Sequence, residues 1–291
     1  MSQQPGPDAR GSAIERYFAY GSNLNEARLR SRCPSSRVVC SATLPRHTLA
    51  FGGHSRRWKG AVATVVPAEE ATVEGVLYEM EAEDIEALDG FEGHPHTYTR
   101  VRRTVSLTGG GTEDAYVYVL PGKTAPGRPS GEYLVVLRLA YLERRFDQAP
   151  LAAAANAGLQ ALPAPGRSSV FVYGTLLLGE VNHHILRGAR WIGPARTEAR
   201  YALHDLGEYP AIVEGGSSAV AGELYAVDAA TLDAMDQLEG HPRFYRRLPV
   251  VLLGGLPAET YVISPHRSTR YPSIAGGDWR EHRRGRVDGP R

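Results

Sequence analysis

Glu92 and Glu239 sit in matching settings. Each lies three residues after an aspartate, Asp89 or Asp236, that closes a short helical pattern. Each is followed by Gly-His-Pro and then by a tyrosine, Tyr98 or Tyr245, that opens an extended run. A carboxyl group between an apolar neighbour, Phe91 or Leu238, and a Gly-Pro turn is partly desolvated. Desolvation disfavours the charged form, raises the pKa and suits the group to take and return a proton near neutrality. One such Glu alone is more often an exposed helix-end carboxylate. Its repetition favours chemistry, although duplicated structure is retained as well.

A second pair of segments could hold an anion. Tyr20-Gly21-Ser22-Asn23-Leu24 and Tyr173-Gly174-Thr175-Leu176 each run from an apolar strand through glycine into a helix start. Such a junction gathers backbone N–H groups at one point, where carboxylate or oxyanion oxygens bind. Taken singly, the glycines could simply make the turn. Other patterns carry less. Glu92-Gly93-His94-Pro95-His96 lacks convergent ligands, and Arg243 replaces His96 in the matching segment, so no metal is expected. Gly122-Lys123-Thr124 has Val117 where a phosphate-binding loop needs glycine. No Gly-x-Ser-x-Gly occurs. Cys33 has no basic partner motif and reads as an inert thiol.

The matching settings belong to a duplication. Gly75–Arg100 aligns without a gap on Gly222–Arg247 at an offset of 147, with 12 of 26 residues identical. Upstream, Tyr17–Ser22 aligns on Val170–Thr175 at an offset of 153. The predicted organisation is a disordered tail over 1–12, a first domain over 13–148, an Ala/Pro/Gly/Ser-rich linker over 149–168 and a second domain over 169–285. The Arg-rich end from Arg280 reads as solvated.

The elements that must position these residues are short. Strands are predicted at Arg16–Tyr20, Val38–Leu44, Thr48–Gly52, Ala61–Val66, Glu74–Glu79, Tyr98–Leu107 and Ala115–Leu120. The second copy echoes them at Val170–Tyr173, Arg200–Leu203, Ala219–Val227, Tyr245–Leu253 and Glu259–Ser264. Helices are predicted at Asn25–Arg32, Ala82–Asp89 and Val181–Leu186. A further helix places Tyr133, Val136, Leu137, Ala140 and Tyr141 on one face behind a Ser130 cap. The fold class is α+β: two tandem small mixed β-barrel domains with flanking helices.

Composition narrows the function classes. Of 291 residues, 42% are hydrophobic and 22% charged, and a net charge of +1 disfavours a nucleic-acid partner. No stretch of 18 apolar residues suggests a membrane span, and the opening residues lack the pattern of a signal peptide. Two cysteines are too few for a disulfide scaffold. A cytoplasmic protein is expected. Lys occurs only at 59 and 123, a bias typical of GC-rich bacterial genomes.

Several segments in order resemble the gamma-glutamylcyclotransferases: Tyr17–Leu24, Trp58–Thr64, Glu74–Tyr78, Leu88–Gly93 and Pro129-Ser130-x-x-Tyr133. Val170–Leu176, Tyr209-Pro210, Gly222–Tyr225 and Leu238–Gly240 look more like the smaller branch, which holds the gamma-glutamylamine cyclotransferases, the butirosin-pathway cyclotransferase and the plant avirulence-induced proteins. The resemblance implies a small mixed barrel, a small-molecule γ-glutamyl substrate and no cofactor. In that chemistry the substrate's α-amino group attacks its own γ-carbonyl and releases 5-oxoproline with an amine or amino acid. Carried over by motif, Glu92 and Glu239 move the proton. Tyr20, Gly21, Ser22, Asn23 and Leu24, with Tyr173, Gly174, Thr175 and Leu176, hold the glutamyl carboxylate or oxyanion. Tyr98, Tyr133 and Tyr245 wall the pockets. Removal of a γ-glutamyl protecting group in a biosynthetic pathway and a non-catalytic binding module are the alternatives. Two like domains could also pair as an internal dimer.

Overall fold

The computed structural model describes residues 13–122, 126–157, 166–253 and 255–287. The expected tail at 1–12, Lys123-Thr124 and residues 158–165 of the expected linker lie outside the described residues. The chain divides into two compact units that meet at Ala155 and Asn156.

The first unit runs β1 (Ile14–Ala19), a 3₁₀ turn (Ser22–Leu24), α1 (Glu26–Arg30), β2 (Arg37–Ser55), β3 (Gly60–Glu81), α2 (Ala82–Glu92), β4 (Thr99–Leu107), β5 (Thr112–Val119), α3 (Gly131–Arg144) and α4 (Gln148–Ala155). Its strands close a barrel in the order β1-β3-β2-β4-β5, with β5 returning parallel to β1 and the other pairs antiparallel. The mixed barrel of the sequence reading is therefore present. Four expected short strands are instead the two long ones, β2 and β3. Register shifts at Val38/Cys40, Pro45/His47 and Gly52/Ser55 interrupt the alternation without ending the ladder, and such bulges let a long strand bend around a barrel.

α3 begins at the expected cap, where Ser130 Oγ accepts from Tyr133 N at 3.2 Å, and it buries Tyr133, Leu137, Ala140 and Tyr141. α4 departs from the linker reading. Its alanines are good helix formers, and Leu151, Ala152, Ala154 and Ala155 are buried with the helix packed on β2 and α3.

The second unit runs β6 (Ser168–Val172), a 3₁₀ turn (His183–Leu186), β7 (Arg190–Arg196), β8 (Tyr201–Asp205), β9 (Pro210–Glu214), β10 (Ala221–Val227), α5 (Ala229–Leu238), β11 (Arg246–Val251), β12 (Pro257–Val262), α6 (Pro265–Ser268) and α7 (Trp279–Val287). Its sheet order is β7-β10-β6-β12-β9-β8, with β11 on the free side of β12 and β6 parallel to β12 as β1 is to β5. An isolated bridge between Thr197 and Leu252, with Leu253 N donating to Arg196 O at 2.8 Å, brings the β11 end back to β7.

α7 refines the reading of a solvated Arg-rich end: residues 283–286 are exposed, but the helix is anchored at its start. Trp279 is fully buried, and Arg280 Nη2 pairs with the buried Glu223 at 2.8 Å. Asp205 accepts His282 Nε2 at 2.7 Å and Arg286 Nη1 at 2.9 Å. The apolar side of this helix is a single large indole, which leaves almost no periodic signal among the arginines.

Candidate active site

The glutamate settings are built alike in both units. α2 runs through Glu92, three residues beyond its expected end, because Gly93 closes it in the left-handed conformation at φ 67°. α5 ends at Leu238, Glu239 is its cap, and Gly240 follows at φ 60°. The repeated residues around each glutamate fasten that helix end to the strands. Asp89 accepts Tyr118 Oη at 2.8 Å and pairs with Arg100 at 2.8 Å. Asp236 accepts Tyr261 Oη at 2.6 Å and Arg247 Nε at 3.0 Å. His94 and His241 each accept, through Nδ1, the N–H of that arginine at 3.2 Å. Much of the repeated block is therefore scaffold, and the glutamates are what it presents.

The turns match as well. Leu24 N donates to Gly21 O at 3.0 Å, and Leu177 N to Gly174 O at 2.9 Å. The N–H groups of Ser22 and Asn23, and of Thr175 and Leu176, come before the first intrahelical bond of their turns. Leu24 does not line a cavity as expected. It is 1% exposed and anchors the turn from below, as its aligned partner Leu177 does at 2%. An apolar side chain at that position is buried by the same bond that closes the turn.

In the first unit, a cavity of 540 Å³ is lined by Ser22, Glu92, Tyr98 and Tyr133 among others. Behind it lies a smaller chamber with Tyr20, Gly21, Asn23 and Glu92 in its wall. Tyr98 Oη donates to Ala63 O at 2.7 Å, and Tyr133 Oη accepts from Ala63 N at 3.2 Å, so the backbone of one residue fixes both rings. In the second unit, a cavity of 370 Å³ is lined by Tyr173, Gly174, Thr175, Leu176, Glu239 and Tyr245. Tyr245 Oη donates to Pro210 O at 2.8 Å, and Tyr173 Oη to Tyr261 O at 2.7 Å. The sequence reading assigned no role to Arg28, Arg32, Trp58, Tyr209, Phe244 and Tyr261, all of which line these cavities. Trp58 and Tyr209 stood within the quoted motifs; the arginines were lost in an Arg-rich chain.

The two glutamates differ in what surrounds the carboxylate. Glu92 Oε1 accepts Asn23 Nδ2 at 3.0 Å and lies 3.9 Å from Arg32 Nη1. Burial raises its pKa, while the Asn23 hydrogen bond and the Arg32 and Arg28 charges pull it back. At the 153 offset, Leu176, Val181 and Ile185 replace Asn23, Arg28 and Arg32. Among the described residues the Glu239 carboxyl has no hydrogen-bond or ion-pair partner, and unopposed burial pushes it up to about 7. The Cys33 thiol is pushed up to about 12 by burial, consistent with an inert thiol. Among the described residues, no group of three His, Cys, Asp or Glu side chains is placed to hold a metal.

The Glu239 environment has a stability consequence. A carboxyl whose pKa is higher folded than unfolded weakens the fold as pH rises between the two values, because only the native state resists ionisation. The weakening begins near the ordinary carboxylate range and is complete above pH 7. Glu239→Gln is expected to stabilise the second unit at pH 8, by up to about 3 kcal/mol, and to leave it unchanged at pH 4. Urea unfolding at both pH values measures this, and equal effects at the two would refute it.

The family model described as gamma-glutamyl cyclotransferase, AIG2-like, matches residues 17–135 and again 170–281. A Vibrio cholerae protein provisionally named a gamma-glutamylcyclotransferase is 44% identical over 110 residues, 38% of this chain and 93% of that protein. The gamma-glutamylcyclotransferase of Mus musculus is 33% identical over 138 residues, 45% of this chain and 72% of that protein. A solved gamma-glutamyl cyclotransferase structure is 28% identical with a TM-score of 0.43, covering 45% of this chain and 80% of that one.

Proposed function

The chain belongs to the gamma-glutamyl cyclotransferase, AIG2-like family, and from there we propose that each unit carries a working centre that cyclises a γ-glutamyl amide to 5-oxoproline. The observation that carries this reading is the same in both units: a partly buried glutamate at a helix end faces a cavity that also includes the glycine turn. The glutamate takes a proton from the substrate's α-ammonium. The freed amine attacks the γ-carbonyl carbon, forming the ring C–N bond and a tetrahedral oxyanion. The bond to the leaving nitrogen then breaks as that nitrogen receives the proton from the glutamate, and the ring nitrogen gives up its second proton, which leaves on the released amine as its ammonium. Atoms balance with no co-reactant, since both new groups come from one substrate. Because nucleophile and electrophile are already joined, the protein's task is to hold the folded conformer and relay protons from the α-nitrogen to the leaving nitrogen. N–H groups of the turn serve the glutamyl carboxylate or the oxyanion.

The direct experiment is 5-oxoproline release from γ-glutamyl amino acids, amines and small peptides. Folded protein that releases none from any of them would favour the binding-module reading instead. The two sites should also differ in pH response. With Glu92→Gln isolating the second site, kcat/KM is expected to fall on the acid side with a midpoint near pH 7, as Glu239 becomes protonated. With Glu239→Gln isolating the first site, the midpoint is expected at lower pH. Leu176→Asn should lower the second-site midpoint by restoring the hydrogen bond that Asn23 provides. Coincident midpoints for the two isolated sites would show that these surroundings do not govern the proton transfer.

A further inference from the structure

The two cavities have opposite electrical linings. Arg28, Arg32, Arg56 and Arg57 line the first, and among the described residues Glu92 is the one carboxylate in its wall. Arg32 is engaged, with Nη1 3.5 Å from Asn23 Oδ1 and 3.9 Å from Glu92 Oε1. Arg28 is not. Among the described residues it has no ion-pair partner, and its Nε is buried without a hydrogen bond. Its guanidinium lies over Trp58 at 5.0 Å from the ring centroid, and Arg57 approaches the same indole at 5.7 Å. Burial, then repulsion from Arg32 and Arg57, pushes Arg28 down to about 10, so it is still a cation at neutral pH. Like charges gathered at one indole, with Glu92 the one opposing charge in the wall among the described residues, are held against their own repulsion. An anion placed among them relieves that repulsion and gains charge-assisted hydrogen bonds.

The charges can be counted against the substrate. Four guanidinium groups face one carboxylate, and a γ-glutamyl group is a zwitterion that adds no net charge. The surplus positive charge therefore falls to whatever is attached to the γ-carbonyl. Among the described residues, the second cavity has no arginine or lysine in its wall. Leu238, Tyr209, Pro210 and Phe244 line it beside Glu239, and Arg267 rests on Phe244 at 5.4 Å without lining the cavity. A carboxylate there would meet an apolar wall and the negative charge of Glu239.

We propose that the two sites divide γ-glutamyl compounds by the charge of the leaving group. The first takes an acidic amino acid with two carboxylates, held by Arg28 and Arg57, and the second takes an uncharged apolar amine. This rests on the cyclotransferase reading above and adds a substrate class to each site.

The test uses the full chain with one site silenced. Glu239→Gln leaves the first site, and its kcat/KM is measured on three nearly isosteric compounds: γ-glutamyl-aspartate, γ-glutamyl-asparagine and γ-glutamyl-asparaginamide. The leaving groups carry two, one and no carboxylates. The expected result is at least a tenfold fall from the first to the last, weakened by added salt. Arg57→Ala, at an exposed position outside the barrel core, should compress that ratio several-fold, and Arg28→Ala likewise once circular dichroism shows it folded. Glu92→Gln, which leaves the second site, should reverse the order. 5-Oxoproline released equally from all three by the first site would overturn the charge assignment and leave the reaction standing. No 5-oxoproline from any γ-glutamyl compound at either site would bring down both readings.

Discussion

Glu92→Gln combined with Glu239→Gln is expected to lower 5-oxoproline release by about 10²–10⁴-fold, the range general acid–base catalysis contributes. Glutamine keeps the shape and can still accept from Asn23 Nδ2 through its carbonyl oxygen, but it cannot take a proton from the substrate ammonium. Each single variant should leave the other site's activity, so a two-substrate panel would lose one product at a time. The second site should suffer the larger fall near neutral pH, because Glu239 titrates near 7 and is suited both to accept and to return a proton. A double variant that keeps more than a tenth of wild-type turnover while folded would show that another group moves the proton.

Gly75→Ala and Gly222→Ala are expected to cost about 3 kcal/mol or more each in the unit that carries them, beyond the usual range for overpacking. A Cβ at Gly75 would lie 2.4 Å from Ala19 O and 2.4 Å from Phe18 Cζ. At Gly222 it would lie 2.2 Å from Val172 O and 2.6 Å from Phe171 Cζ. The nearest atoms include main-chain oxygens at the ends of β1 and β6, the strands that lead into the Tyr20-Gly21 and Tyr173-Gly174 turns. Relief would require the strand end to move, and the substrate turn with it. Stability loss and activity loss should therefore arrive together. Gly109→Ala is the control, since a Cβ there meets nothing within 4 Å. Denaturant unfolding with a turnover assay measures both effects, and a cost below about 1 kcal/mol at Gly222 would mean that the strand end yields easily.

The sequence by itself determined the duplication, the mixed barrel and the glutamates with their glycine turns. These rest on local rules that survive folding: a glycine where the chain closes a helix, an apolar run where a strand is buried, and a repeated block whose Asp, His and Arg must meet the same partners twice. It misjudged features whose signal is not periodic. Bulges hid the continuity of β2 and β3, and one indole hid α7 among arginines. Leu24 enters the expected site with the rest of the Tyr20–Leu24 turn, yet its N–H is used to close the turn onto Gly21 O and its side chain is buried.

Only the tertiary structure decided what distinguishes the two sites. Thr175-Leu176 in place of Ser22-Asn23 already marks the two turns as different in the sequence, and the structure adds that Asn23 holds a glutamate while Leu176 leaves it bare. Arg28 and Arg57 are far apart in sequence, and Trp58 brings them to one indole. A pKa and a cavity's charge are sums over neighbours from separate elements, and chain order does not record who those neighbours are.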